Sequence, residues 1–293
     1  MADNVLQVAL IQMPVQSNPW RNVQALEEGL ARAASAETPC EMAVGVEFGI
    51  SPGPPLPEKN EMYGYLGDMA ARYGVYLLPG TVKIAADEDG GFFNQAPVFG
   101  PDGGLLCRYN KMVPWDTSLE RGTVPGREPL VFDIPEKGTR AGVMICYDAD
   151  FPEIARGLTL SGAEVLIQLS MDPDTIPGEY GAIKQARALE NQAYSIYTNG
   201  VGQCDGFTLA GGSRIIGPEG ETLYSAGTDA ATGGAGLDLT RLRRCRSEGS
   251  WGEVAILGSY LEHLPPRLFA GSESESPLAR MAPFGGGEDD SKG

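Results

Sequence analysis

Apolar and polar positions along the chain alternate between two periods. Residues 5–11 form an almost continuous apolar run and read as a buried strand. Over residues 21–36 the positions Val23, Leu26, Leu30, Ala33 and Ala34 fall on one face of a helix. Residues 42–48 then return to strand character, ending at Glu47. The opening is therefore βαβ. A Pro/Gly loop is expected over residues 51–57, a second amphipathic helix over about 62–73, and strands at 75–78, 92–99 and 105–109. The second half repeats the plan, with a strand over 141–145 leading to Cys146, a helix over 151–161 and a strand over 164–169. A helix over 179–192, a strand over 194–198 and a hairpin follow. Gly100-Pro101-Asp102-Gly103 and Gly217-Pro218-Glu219-Gly220 place a Pro-acid-Gly turn between strands at corresponding points of the two halves. Two such halves predict an α/β protein, a four-layer αββα sandwich of two mixed sheets with outer helices. Residues 1–270 are expected to form a single domain. The acidic, Gly/Ser-rich residues 271–293 are expected to be disordered or to clasp a partner subunit.

Within this plan Cys146 stands where an apolar strand breaks into a helix. Asp150 reads as the N-cap, with Pro152 in the first turn and Glu153 three residues after the cap. A thiol near the donor-rich end of a helix is expected to favour the thiolate, and the turn lifts it toward a cleft. Glu47 ends another apolar strand, where a carboxylate needs a partner, and Lys111 lies just past a third strand among apolar neighbours. Glu120 follows in the next loop. A carboxylate, an ammonium and a thiol that each end a strand can gather at one edge of a sandwich as a Glu-Lys-Cys triad. Trp115, Tyr147 and Met171 are the candidate pocket walls.

Composition narrows the chemistry. The net charge of −17 opposes binding to nucleic acid or to anionic membrane surfaces. His263 is the single histidine, which argues against Cys-His or Ser-His-Asp catalysis and against a multi-histidine metal site. Five cysteines at irregular spacing suggest neither a disulfide framework nor zinc, so reduced thiols are expected. No apolar run approaches membrane length, and residues 1–4 lead into the first strand without a secretory pattern, so the expected compartment is the cytoplasm. No metal or organic cofactor is expected.

Cys146-Tyr147-Asp148 with Phe151-Pro152-Glu153, Tyr109-Asn110-Lys111 and Glu47 together resemble the nitrilase superfamily of carbon–nitrogen hydrolases, over about residues 5–240. Lys111-Met112-Val113-Pro114-Trp115, Glu120 and Cys146-Tyr147-Asp148 look like the aliphatic amidase and formamidase branch. Arg187 to Tyr194 resembles the helix-to-strand segment that backs the site, whereas Ser170-Met171-Asp172 departs from that branch. The resemblance implies cysteine-dependent hydrolysis of a small carboxamide to carboxylate and ammonia through a thioester. Cys146 would be the nucleophile and Glu47 the proton carrier. Lys111 and the backbone N–H of Tyr147 would stabilise the oxyanion, and Glu120 would orient substrate or Lys111. An N-carbamoyl-amine hydrolase is the nearest alternative and a nitrilase the next. A catalytically silent binding or assembly protein is the non-enzymatic one. The resemblance also implies a homodimer or higher homo-oligomer.

Overall fold

Amphipathic helices and apolar strands alternate because each must bury one face, and the chain solves this with two sheets back to back. A computed structural model describes residues 4–86, 90–115, 117–176 and 178–263. In order, it contains β1 (Val5–Gln12), α1 (Pro19–Ala34), β2 (Met42–Leu56), α2 (Glu61–Tyr73), β3 (Tyr76–Ala85), β4 (Phe92–Phe99) and β5 (Leu105–Asn110). There follow β6 (Leu130–Ile134), β7 (Thr139–Ile145), α3 (Pro152–Leu160), β8 (Val165–Ser170), α4 (Ala182–Asn191) and β9 (Tyr194–Asn199). The chain then forms β10 (Val201–Cys204), β11 (Phe207–Ala210), β12 (Arg214–Ile216), β13 (Thr222–Ser225), β14 (Ala231–Asp238), α5 (Leu239–Glu248) and α6 (Ile256–His263).

One sheet has the order β14-β1-β2-β3-β4-β5 and the other β13-β12-β9-β8-β7-β6. The orders match by an internal pseudo-twofold. In each sheet three parallel strands (β1-β2-β3, β7-β8-β9) are followed by an antiparallel pair (β4-β5, β12-β13), and the first parallel strand also takes an antiparallel outer neighbour. Those outer strands are exchanged, since β6 follows β5 but pairs with β7, and β14 returns to pair with β1. Val8, Leu10 and Val44 of one sheet pack on Val143, Ile145, Ile167 and Ile196 of the other. Burying such a side chain contributes roughly 1.5–3 kcal/mol. On the outside, Leu26, Leu30, Leu66 and Met69 of α1 and α2 cover the first sheet, and Ala155 and Leu158 of α3 cover the second. These are the four expected layers.

Local differences have physical causes. The expected loop at residues 51–57 is instead the end of β2, pairing Ser51 with Val82 and Leu56 with Ile84. Pro52, Pro54 and Pro55 lack N–H donors but are tolerated there, because the β1 pairing ends at Val44 and leaves the other edge of β2 open. Pro79-Gly80 does not end β3, because Gly80 adopts φ 121° where a Cβ would meet the Val46 carbonyl oxygen at 2.4 Å. The expected tail, residues 271–293, lies outside the described residues. No helix among them is long and apolar enough to cross a membrane.

Candidate functional site

The middle of β2 and the residues just past β5 and β7 carry the three members of the expected triad. Glu47 lies within β2, followed by Phe48 at φ 52°. Its neighbour Phe48 N donates to Thr81 Oγ1 at 2.8 Å, and Thr198 Oγ1 reaches across the sandwich to the Gly45 carbonyl at 2.6 Å. Lys111 directly follows β5, anchored by its backbone N–H on the Asn94 carbonyl at 2.9 Å. The Lys111 ammonium then donates to Glu47 Oε1 at 2.9 Å and to Glu120 Oε2 at 2.7 Å. Asn94 closes the cluster, its amide donating to Glu47 Oε1 at 2.9 Å and to Glu120 Oε1 at 2.8 Å. The Trp115 N–H adds a third bond to Glu120, at 2.6 Å. All four side chains are buried, and Lys111 is only 1% exposed.

Electrostatics here follow from one ammonium shared by two buried carboxylates. Burial lifts Glu47 to about 7, with Lys111 pulling it down and Glu120 pushing it up. Burial alone would lower the Lys111 ammonium, but Glu47, Cys146 and Glu120 outweigh it and hold Lys111 above its ordinary value. Lys111 therefore stays charged at neutral pH, while Glu47 can exchange a proton there.

Cys146 follows β7 at φ 47°, a left-handed backbone that a non-glycine residue holds only when its surroundings impose it. Gln168 of β8 supplies one constraint, donating to the Cys146 carbonyl at 3.1 Å. Asp148 supplies another. Its Oδ1 accepts from the Met112 and Val113 N–H groups at 3.1 and 2.8 Å, and its Oδ2 from Tyr109 OH at 2.7 Å and Ile145 N–H at 3.0 Å. The Lys111 loop and the nucleophile turn are thus one unit. Arg187 of α4 braces the same turn from behind, donating to the Ala149 and Asp150 carbonyls at 2.7 and 3.0 Å.

Two expectations about this turn are corrected. Asp150 does not cap a helix: a 3-10 turn over Cys146–Asp150 intervenes, Phe151 occupies the N-cap of α3 without a side-chain bond, and Asp150 accepts from Tyr180 OH instead. Nor is the thiolate favoured at rest. Burial, together with the Glu47 and Asp172 carboxylates, pushes the Cys146 thiol well above its ordinary value against the pull of Lys111. The thiol donates to Asp172 Oδ1 at 3.3 Å and also interacts with Glu47.

A cavity of about 300 Å³ opens onto Cys146, lined by Trp115, Tyr147, Asp150, Gln168, Asp172, Ile176, Tyr180 and Lys184. Of the candidate pocket residues, Trp115 and Tyr147 line this cavity, and the Tyr147 ring meets Phe151 edge-on at 5.2 Å. Met171 does not. Its side chain packs in the apolar core beneath α1 and α2, and the next residue, Asp172, takes the place at the cavity. Asn94, Asp172 and Lys184 were not singled out from the sequence. Asp172 carried a weaker form of the signal used for Glu47, a carboxylate just past a mainly apolar strand that also holds Gln168 and Ser170. His263 is exposed at the end of α6. Among the described residues no group of three or more His, Cys, Asp or Glu side chains is arranged to hold a metal ion.

Residues 7–247 match the carbon-nitrogen hydrolase family. The chain is 30% identical over 259 residues to the omega-amidase NIT2 of Homo sapiens, covering 82% of this chain and 91% of that protein. Its fold is similar to that of Saccharomyces cerevisiae Nit3, a member of the nitrilase superfamily, with a TM-score of 0.75, 23% identity and coverage of 83% and 93% of the two chains. It is also similar to a mutant of the amidase from Nesterenkonia sp. AN1 that shows covalent addition of the acetamide moiety of fluoroacetamide at the active site cysteine. There the TM-score is 0.69, the identity 23% and the coverage 83% and 95%.

Asp148 gives a direct test of the scaffold. Asp148→Ala would strand three backbone N–H groups and the Tyr109 hydroxyl, so we expect it to lower unfolding stability by at least about 3 kcal/mol, measured by urea denaturation. A loss below about 1 kcal/mol would show that the two loops are held together by something else.

Proposed function

Because the chain belongs to the carbon-nitrogen hydrolase family of the nitrilase superfamily, we propose that it is an amidase that hydrolyses a small carboxamide to carboxylate and ammonia through a thioester on Cys146. The observation that carries this reading is the buried Lys111 ammonium, clamped between Glu47 and Glu120 beside a thiol that lines a cavity. In the proposed cycle Glu47 takes the thiol proton, and the sulfur attacks the amide carbon. Electron density moves onto the carbonyl oxygen, where Lys111 and the Tyr147 N–H stabilise it. The C–N bond then breaks as Glu47 returns the proton to the leaving nitrogen. Water, deprotonated by Glu47, releases the acid and restores the thiol. Glu120 keeps Lys111 in place throughout.

The proton affinities support these roles. A neutral resting thiol needs a base beside it, and a carboxyl lifted to about 7 can both accept and return a proton near neutrality. A cavity of about 300 Å³ is at the small end of ligand sites, which favours short acyl groups. The relative named an omega-amidase supports an amide rather than a nitrile as substrate.

Ammonia release from a panel of short aliphatic amides, ω-amides, N-carbamoyl amino acids and matching nitriles tests the proposal. We expect the amides to turn over and Cys146→Ala to lose at least about a thousandfold in kcat, the scale for removing a covalent nucleophile. Faster hydrolysis of a nitrile than of its amide, or substantial activity in Cys146→Ala, would overturn it. N-carbamoyl compounds as the best substrates would move the chain to the alternative reading.

A pH profile tests Glu47 separately. The base form of Glu47 is lost as pH falls through its raised value, so kcat/KM should fall about tenfold per pH unit below about 7 and level off above it. Lys111 adds no alkaline loss near neutrality, because its ammonium is held above the ordinary lysine value. A profile flat from pH 5 to 8 would remove Glu47 from the proton transfer.

A further inference from the structure

Cys146 has a second buried neighbourhood that the Glu47-Lys111-Glu120 cluster does not use. Asp172 lies just past β8 and accepts from the Cys146 thiol through Oδ1 at 3.3 Å. Its Oδ2 accepts from Lys184 Nζ of α4 and from Tyr197 OH of β9, both at 2.9 Å. Its backbone is pinned as well: the N–H donates to Asn199 Oδ1 at 2.7 Å, and the carbonyl accepts from Asn199 Nδ2 at 3.2 Å. Asp172, Lys184 and Tyr197 are 8%, 5% and 6% exposed. Four contacts from two elements, α4 and β9, thus fix one carboxylate against one sulfur.

Such a cluster is not explained by folding. A buried ion pair seldom stabilises more than apolar side chains of equal volume would, and this one faces a cavity rather than filling a core. Its effect falls on the sulfur. A carboxylate disfavours a thiolate beside it but holds a neutral S–H by hydrogen bonding. Lys184 offsets the charge that Asp172 brings to the cavity wall, so the bond to sulfur is kept without a further net negative charge.

We propose that Asp172, fixed by Lys184 and Tyr197, is a further functional residue of this site. It holds the Cys146 thiol oriented and protonated in the resting enzyme, and it exchanges that hydrogen bond for an N–H of the incoming carboxamide. When the amide N–H takes the Asp172 oxygen, the S–H is released toward Glu47, the sulfur–carbon bond forms, and the proton later leaves on the nitrogen. Asp172 gains and loses no proton in this sequence. A nitrile has no N–H to offer, so the same contact favours amides. The inference rests on Cys146 being the nucleophile of the proposed reaction.

Iodoacetamide alkylation of Cys146, followed by peptide mass spectrometry across pH, tests this whether or not any amide is hydrolysed. The groups facing the thiol are Glu47, Lys111 and Glu120 on one side and Asp172 and Tyr197 on the other, with Tyr180 across the cavity. Asp172→Asn keeps the shape and removes the negative charge, so alkylation at pH 7 should quicken about tenfold, while kcat/KM for an amide falls at least about tenfold. Tyr197→Phe removes one hydrogen bond that disperses the Asp172 charge, so alkylation should slow about threefold. Opposite directions in the two variants are the signature, because damaged packing would move both the same way. Alkylation within twofold of the parent in Asp172→Asn, or a change of the same sign in both, overturns the proposal. If Asp172→Asn does not fold, Tyr197→Phe decides alone: slower alkylation supports it, and an unchanged or faster rate refutes it.

Discussion

One buried ammonium organises the site. Lys111 is almost wholly removed from water and faces two carboxylates. An unpaired charge in that position would be prohibitive, and even a paired one needs its remaining donors and acceptors met. Neighbouring groups meet several of them. Asn94 joins the two carboxylates, the Trp115 N–H bonds Glu120, and the Asn94 carbonyl holds the Lys111 backbone. Two carboxylates against one ammonium still leave a surplus of negative charge. Burial is what chiefly raises the proton affinity of Glu47, with Glu120 adding to it against the pull of Lys111, so the burial that makes the cluster costly is what suits Glu47 to carry protons near neutrality.

The fold delivers these groups through its pseudo-twofold. Parallel strands of both sheets supply the site, with Glu47 from within β2, Cys146 from just past β7 and Asp172 from just past β8. Rigid placement then depends on bonds between loops rather than within them. Asp148 ties the turn after Cys146 to the loop after Lys111, and Arg187 holds that turn from α4. The left-handed backbone at Phe48 and Cys146 is where the strands are bent to present their side chains.

Much of this was legible because buried strands and amphipathic helices write their period into the chain. Glu47, Lys111 and Cys146 stood out as polar groups at the ends of apolar runs, and their spacing resembled a known family. Other parts had no such signature. β14 is rich in glycine because Gly234 packs against the Val8 carbonyl with no room for a side chain, so its composition reads as loop. The 3-10 turn at Cys146–Asp150 takes in the expected cap Asp150, whose side chain bonds Tyr180 rather than the helix, so α3 is capped one residue later at Phe151. Asn94 and Lys184 sit beside other polar residues, Gln95 and Gln185, and their meaning depends on partners distant in sequence. Met171 and Asp172 show how a one-residue step at a strand end exchanges a core side chain for a cavity one.

The central claim is that acyl transfer passes through the sulfur of Cys146 with Glu47 as the proton carrier. Rapid acid quench of the protein mixed with a short carboxamide, followed by intact-mass and peptide analysis, tests it directly. The account predicts an adduct of the acyl mass on the Cys146 peptide during turnover. It should be absent from Cys146→Ala, and Glu47→Gln should form no rapid full-size adduct. Steady ammonia release without any adduct in Cys146→Ala, or a rapid full-size adduct in Glu47→Gln, would contradict it.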